Sequence, residues 1–534
     1  MLKERSEWSE GARRVLQELV DRNVPKRIRE RDHTVWRPDP TEISDRLAWL
    51  DAGEFLRSHL RDLADFVGQV CAEGYRDVVL LGMGGSCLGP EVLRQAYGPV
   101  DGYPRLTMLD STIPAQVNAV ASAIDPARTL FIVSSKSGGT IETLSFYRYF
   151  RAFVEEVCPG KVAGRNFVAI TDEGTPLERL GRETGFRRVF LNPPDIGGRY
   201  SVLSWFGAVP AALSGIDVAR LLDTAAPMRE RCLGDNPDEN YGLQLGALLG
   251  SAALSGRDKV TLIAPPPIEG FGLWVEQMIA ESLGKEGRGI VPVAGEPLLD
   301  PGCYGDDRLF VFIETSTCGD IVPAVNRLEQ HGHPVARLQL RDCADLGAEF
   351  FRWEYATAVA GSILDIHPFD QPVVQGAKDN TDGLLDIFLR DGKLPESAPS
   401  GSLSELLAQA RPGDYLAITP YTRMDPGVDR LMSELRARVM RRCRIATTMG
   451  YGPRYLHSTG QLHKGGPASG LYLQLTTDPL EPLPIPGQKY GFDTLAAAQA
   501  IGDYRALSNL GRRVATVDLG SNIIAGMQRL LDEL

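Results

Sequence analysis

The segment FIVSSKSGGTIETL sets Ser134, Ser135, Lys136, Ser137 and Thr140 between a strand-like run and a helix expected to open near Thr140. Free backbone N–H groups and the positive end of a helix dipole favour an anion at such a place, and hydroxyls add hydrogen bonds to phosphate oxygens. Ser and Thr also cap helices, so capping alone is the competing reading. Four hydroxyls, Lys136 and two glycines exceed what a cap needs, which points to a phosphate cradle. The pattern GxxxxGK[ST] is absent, so a phosphomonoester fits better than a nucleoside triphosphate.

Four further segments carry groups of chemical interest. In LLGMGGSCLGPEVL, Gly82, Gly84, Gly85 and Ser86 join a strand to a helix near Leu88 and let a ligand approach the backbone. A dinucleotide fingerprint would need glycine at 87, where Cys87 stands, and Asp110 lies too far along to serve as its acidic partner. A tight turn without a ligand is the alternative. In IGGRYSVLS, Arg199 follows two glycines and can hold a carboxylate, a phosphate or a developing oxyanion, or else pair on the surface. In WVEQMIAESLGKEGRG, Gln277, Glu281 and Lys285 recur at i, i+4 and i+8 and share one helix face. A carboxylate there can act as a general base, against the reading of a solvated polar face. Ser282 to Lys285 fits Ser-x-x-Lys, but the Ser-Asp-Asn partner is absent. In HPFDQPVVQGAKDNT, Gln371 and Lys378 stand seven residues apart, about two helical turns, and can face one cleft.

A last segment, LHSTGQLHKGGP, gathers His457, His463 and Lys464 in a glycine-rich connection. It is expected to cap or support the main site without doing chemistry, the alternative being a structural or interface loop.

The elements that must position these groups alternate. Apolar runs of strand length at Asp77–Leu81, Leu106–Leu109, Leu130–Val133 and Phe167–Ile170 are interleaved with helix-length segments, the pattern of βαβ units on a parallel sheet. A helical stretch from Tyr200 to about Ser255 leads to a second alternating unit, with strands at Val260–Ala264, Leu309–Ile313 and Val335–Leu340. Pro395–Gly413 reads as a linker, and further strands at Tyr415–Thr419, Arg444–Thr448, Leu471–Leu475 and Val514–Leu519 make a third, smaller α/β unit. Residues 1–60 read as a helical arm.

Composition bounds the possibilities. The chain has 534 residues, 43% hydrophobic and 24% charged, close to the globular average. With 57 Lys and Arg against 69 Asp and Glu the net charge is −12, which argues against a nucleic-acid binder, so an anionic ligand needs a local site. The closest of the eight cysteines, Cys303 and Cys318, are 15 apart, so neither a Cys-x-x-Cys pair nor a disulfide framework is visible and reduced thiols are expected. No leader and no membrane span are expected.

Taken in order, the five main segments resemble the phosphoglucose isomerase family, built from two sugar-isomerase domains. Gly-x-Gly-Gly-Ser-x-Leu-Gly-Pro at 82–90, Gly-Gly-Arg-Tyr-Ser at 197–201, Glu-Ser-x-Gly-Lys at 281–285 and Phe-Asp-Gln-Pro at 369–372 carry the likeness, over roughly residues 77–380. Within the family the run 457–467 looks most like the isomerase half of bifunctional transaldolase/phosphoglucose isomerases, although the residues before 77 are too few for a transaldolase barrel.

The resemblance implies an α/β fold: two three-layer α/β/α sugar-isomerase domains with parallel sheets at 61–225 and 226–394, an arm at 1–60 and a C-terminal α/β extension at 395–534. It implies a homodimer that interconverts glucose 6-phosphate and fructose 6-phosphate through a cis-enediol, with no cofactor and no metal, and the scattered cysteines point to the cytoplasm. Glu281 would move the proton between C1 and C2, with Gln277 one turn before it. Arg199 would stabilise the enediolate, while Ser135, Lys136, Ser137 and Thr140 would hold the phosphate. Gly85, Ser86, Gly198 and Gln371 would line the sugar, and Lys378 would act in ring opening with a histidine. The family places that histidine between the base and the next strand and lends it across a dimer interface. Here the stretch offers His331 and His333, of which His333 is chosen, with His457 left open. A His-x-His pair can also bind metal, but no third ligand is near. The Ser-Gly-Gly-Thr-Ile run at 137–141 replaces a Thr-x-Thr-Thr-Gln-like run, which leaves the phosphate geometry open. The other functions weighed are isomerisation of mannose 6-phosphate and a non-catalytic sugar-phosphate sensor, which would have no use for Glu281.

Overall fold

The structure, a computed structural model, describes residues 10–158, 160–395, 400–477 and 480–534, with the side chains at 160–161 and 374–379 outside that description. Among the described residues thirteen strands form three sheets in which every strand pairing is parallel. The first sheet holds β1 (Asp77–Gly82), β2 (Arg105–Leu109), β3 (Thr129–Ser134), β4 (Phe167–Asp172) and β5 (Arg188–Asn192), in the order β2-β1-β3-β4-β5. The second holds β6 (Lys259–Ile263), β7 (Val291–Val293), β8 (Arg308–Glu314) and β9 (Val335–Gln339), ordered β7-β6-β8-β9. The third holds β10 (Tyr415–Pro420), β11 (Ala446–Met449), β12 (Gly470–Thr476) and β13 (Arg513–Asp518), ordered β11-β10-β12-β13. The central strands β1, β3, β4 and β10 are buried along their whole length, as expected for parallel sheets covered by helices on both faces. This is an α/β protein.

Two strands carry no clear sequence signal. β5 is an edge strand whose residues are mostly only partly buried, so it lacks the continuous apolar run of its neighbours. β7 has three residues with Pro292 at its centre, a residue tolerated there because the strand lies at a sheet edge. The helical stretch after residue 200 resolves into three helices, Trp205–Leu213, Val218–Leu233 and Tyr241–Leu254.

The segment expected to be a linker is partly built. Ser400 bridges to Thr516, and Ser402 with Glu405 forms a capping box on the helix Leu403–Leu407, whose three leucines are buried. The third unit also packs on both others. Tyr415, Ala446, Leu462 and Tyr472 share an apolar cluster with Ala280, Val291 and Val293, and Phe492, Leu495 and Ala498 share one with residues of the first sheet. Buried Arg436 donates to the carbonyls of Ala294 and Gly295, and Glu296 receives both Arg308 (2.9 Å) and the Thr447 N–H (2.7 Å). The Arg436 guanidinium on those two carbonyls and the Thr447 N–H on the Glu296 carboxylate are hydrogen bonds to charged groups that cross between the units, each worth about 1.5–3 kcal/mol, so the third unit is fixed rather than appended. The N-terminal arm is anchored as well: Trp36 donates its indole N–H to Ala358 O at 2.7 Å and meets the Phe369 ring edge-on at 4.9 Å.

Candidate active site

The carboxyl ends of the strands in the first sheet, the helix Phe271–Leu283 and a loop of the third unit enclose a cleft of about 470 Å³. Open α/β sheets bind ligands at this end. Its wall includes Gly85, Ser86, Lys136, Ser137, Thr140, Gly198, Arg199, Gln277, Glu281 and Gln371, so the cleft brings together ten of the thirteen residues singled out above.

Glu281 and Arg199 form the centre. Glu281 ends a helix buried nearly all round, and Arg199 Nη1 lies 3.1 Å from its Oε1. The guanidinium is 2% exposed and is held on every side: Nε donates to Ser282 Oγ at 2.7 Å, and Nη2 donates to Pro368 O (2.6 Å) and Asp370 O (3.1 Å). A rigid fork of this kind can keep its charge aimed at a developing oxyanion without reorganising. Lys285 is buried behind it, donating to His367 O and Asp370 O and paired with the Asp370 carboxylate. Burial, with Arg199 nearby, pulls its ammonium down to about 7. Arg199 and Lys285 therefore both grip the backbone at 367–370, and that grip places Gln371 on the rim.

The hydroxyl-rich turn faces this pair across the cleft. Lys136 is paired with Asp172 and donates to Pro194 O at 2.7 Å. Burial lifts the Asp172 carboxyl to about 6 against the pull of Lys136. Ser137 and Thr140 open on the cavity, whereas Ser135 does not. Its buried hydroxyl meets Thr140 Oγ1 at 2.9 Å and accepts the Gly138 N–H at 3.1 Å, so Ser135 shapes the turn instead of lining it.

His333 does not line the cleft of its own chain. Its ring lies between Tyr304 and Phe310, 5.9 and 5.5 Å away, with Nε2 on Pro301 O at 3.1 Å. Its place at the start of β9 turns it to the edge of the second unit. His331 caps a helix end, Nδ1 on Arg327 O at 2.8 Å. The histidine on the cleft is His457, whose Nε2 meets Glu142 Oε1 at 2.9 Å. Lys378 falls on the helix Val374–Asp391, but its side chain lies outside the described residues.

The loop carrying His457 is a 3₁₀ turn, Arg454–His457, followed by the short helix Gly460–Gly465. Its three candidate cations part company. Burial drives His463 down to about 3, so it stays neutral, and Lys464 is buried against Asp503. Arg454 makes a two-pronged contact with Asp110 at 2.7 and 3.0 Å. The same loop reaches the centre of the site: Gln277 Nε2 donates both to Glu281 Oε2 (2.9 Å) and to His457 O (2.8 Å). Gly84 makes room for it with φ +53°, since a Cβ there would stand 2.7 Å from His457 O. Gly85 is equally constrained, a Cβ falling 2.0 Å from Gly198 O. Glu142 was passed over in the sequence although it lies two residues beyond Thr140; its partner sits 315 positions away, a separation no local pattern reveals.

The model of the family described as phosphoglucose isomerase matches residues 54–287, which carry the Arg199–Glu281 pair and the hydroxyl turn. The glucose-6-phosphate isomerase of Rubrobacter xylanophilus is 30% identical over 375 residues, 60% of this chain and 85% of that protein. This chain belongs to the phosphoglucose isomerase family. Among solved structures, a hypothetical protein of Thermus thermophilus aligns with TM-score 0.60 at 25% identity, over 70% of this chain and 98% of that one. A glucose-6-phosphate isomerase of Chlamydia trachomatis aligns with TM-score 0.61 at 19% identity, over 71% and 86%. The family fold is thus shared, and the relatives leave well over a quarter of this chain unmatched. Among the described residues no helix is long and apolar enough to cross a membrane.

Proposed function

We propose that the chain interconverts glucose 6-phosphate and fructose 6-phosphate. The observation that carries the reading is Glu281, a buried carboxylate that opens on the cleft with Arg199 against it and Gln277 bridging it to the opposite wall. A sugar-phosphate sensor would need the cradle and the cation but no base, and a carboxylate held this way suits removal of a proton alpha to a carbonyl. In this reading Lys136, Ser137, Thr140 and the turn's backbone hold the phosphate. Glu281 takes the proton from C2 of the open-chain aldose, the hydroxyl proton passes from O2 to O1, and Glu281 returns its proton to C1, while Arg199 balances the negative charge that develops on the enediolate oxygens O1 and O2. Gly85, Ser86, Gly198 and Gln371 line the sugar.

His457, held by Glu142, replaces His333 as the group that passes a proton to the ring oxygen, acting with Lys378. We further propose that the chain sits nearest the isomerase half of the bifunctional enzymes, on its 457–467 run, that it works in the cytoplasm, and that it is organised in the four parts given by residues 1–60, 61–225, 226–394 and 395–534. A homodimer belongs to the same reading. With His457 on the cleft inside one chain, the partner is not asked to supply the ring histidine.

A coupled assay tests the activity. The purified chain should convert fructose 6-phosphate to glucose 6-phosphate at a rate EDTA does not change, and faster than it converts mannose 6-phosphate measured beside it. Glu281→Gln should cut kcat by on the order of 10²- to 10⁴-fold while phosphosugar binding persists. Loss on chelation that a divalent ion restores, or an active Gln variant, refutes the proposed chemistry.

A further inference from the structure

The helix Phe492–Asn509 of the third unit runs behind the cleft wall, and Gln499 on it does not line the cleft. It is 2% exposed. Its Nε2 donates to Glu142 Oε1 at 2.6 Å, the same oxygen that meets His457 Nε2 at 2.9 Å, and its Oε1 accepts from Thr112 Oγ1 at 2.7 Å. Thr112 follows β2, Glu142 lies on the helix after β3, and Gln499 and His457 come from the third unit, so one polar line joins three distant parts of the chain.

The direction of the amide is fixed from the Glu142 end, and the Thr112 hydroxyl, which can donate or accept, follows it. An ionised carboxylate only accepts, so the NH₂ group must face Glu142, and the carbonyl is left to the Thr112 hydroxyl. Turned the other way, the amide oxygen would stand against the carboxylate, acceptor against acceptor, with both side chains buried. A carboxylate that hydrogen-bonds an imidazole sets both its orientation and which nitrogen carries the proton, and whatever holds that carboxylate acts on the ring at one remove. We propose that Gln499, anchored by Thr112, is a positioning residue that acts through Glu142 to hold His457 toward the sugar ring. The proposal rests on the isomerase reading above and gives the third unit a share in catalysis beyond contributing the histidine.

Kinetics on the full chain test it. Gln499→Leu should lower kcat about tenfold or more, the order of one hydrogen bond to a charged group, with KM within about twofold. Thr112→Val should cause a smaller fall of the same kind. In a His457→Ala background both substitutions should have no further effect on kcat, because the group they act through is gone. Equal fold losses in the two backgrounds, or an unchanged kcat in Gln499→Leu, overturn the proposal. If Gln499→Leu does not fold, Thr112→Val in the two backgrounds decides it by the same criterion. Proton NMR of the imidazole signals, with His457 assigned by its alanine variant, separates this from the activity reading. Gln499→Leu should shift the His457 signal and leave the other six histidines in place; a His457 signal that does not move overturns the proposal whether or not the chain turns over substrate.

Discussion

Arg199→Lys keeps the charge at the centre of the cleft and removes the fork. The guanidinium contacts four oxygens, those of Glu281, Ser282, Pro368 and Asp370, at 2.6–3.1 Å. An ammonium has three donors on a single nitrogen and cannot span them. Held on the Pro368 and Asp370 carbonyls, where Lys285 already competes for Asp370, it would leave Glu281 with the Gln277 amide but without its cation. Losing one preorganised donor to a developing oxyanion costs about 2.7–4 kcal/mol, which is a fall in kcat of about 10²- to 10³-fold. KM should change by less than about threefold, because the phosphate is held across the cleft at Lys136, Ser137 and Thr140. The assay is steady-state isomerisation in both directions on protein whose near-ultraviolet circular dichroism matches the wild type. A folded Arg199→Lys enzyme within about threefold of wild-type kcat would refute the assignment of enediolate stabilisation to this arginine.

The remaining expectations concern the loop, the turn and a buried acid. His457→Ala should lower kcat by about 10²-fold, the scale of a proton-transferring side chain, while His333→Ala stays within about twofold; the reverse order would restore His333 to the site. Gly84→Ala brings a Cβ within 2.9 Å of Gln277 Nε2 as well as against His457 O, at a φ that disfavours any side chain. It should therefore depress kcat in a protein that still folds, and full activity would show that the loop yields freely. Burial raises Glu276 to about 8, although it accepts the Ala294 N–H at 3.1 Å. The folded chain then keeps a proton that the unfolded chain releases above its ordinary value near 4.5, so stability falls as pH rises from about 4.5 to 8 and levels off beyond. Glu276→Gln should flatten that fall in urea unfolding followed between pH 5 and 8.5, and an identical pH slope in both proteins would show that Glu276 is not its source.

The parallel α/β architecture was legible because β1, β3, β4 and β10 are buried on both faces and so read as unbroken apolar runs. The edge strands β5 and β7 were not, since half-solvated residues and a central proline erase that signal. On the site, the turns around Lys136, Arg199 and Glu281 were visible because each keeps its chemistry within a few residues of a helix end. The surroundings of His333 were not legible, for the opposite reason. Its position along the chain fitted the resemblance, whereas its surroundings, two aromatic rings and a backbone carbonyl, are set by tertiary packing. Ser135 shows the same limit at short range: four hydroxyl residues in one turn do not say which of them turns inward to close it. The linker reading failed at Ser402, where a serine-rich composition conceals a capped helix.

The contact between Gly84 and His457 and the bond from Gln499 to Glu142 have a consequence for how the protein comes into being. These contacts join residues separated by more than 350 positions in the chain, so the entropy of closing very long loops must be met before the cleft exists. Each sheet can condense from neighbouring segments, whereas the catalytic wall needs the most distant ones and is expected to form last. On a ribosome, the first two sheets would be complete while the chain still lacked the histidine and its support. Activity would then appear as a late, separate phase of refolding, after the bulk of the secondary structure has returned.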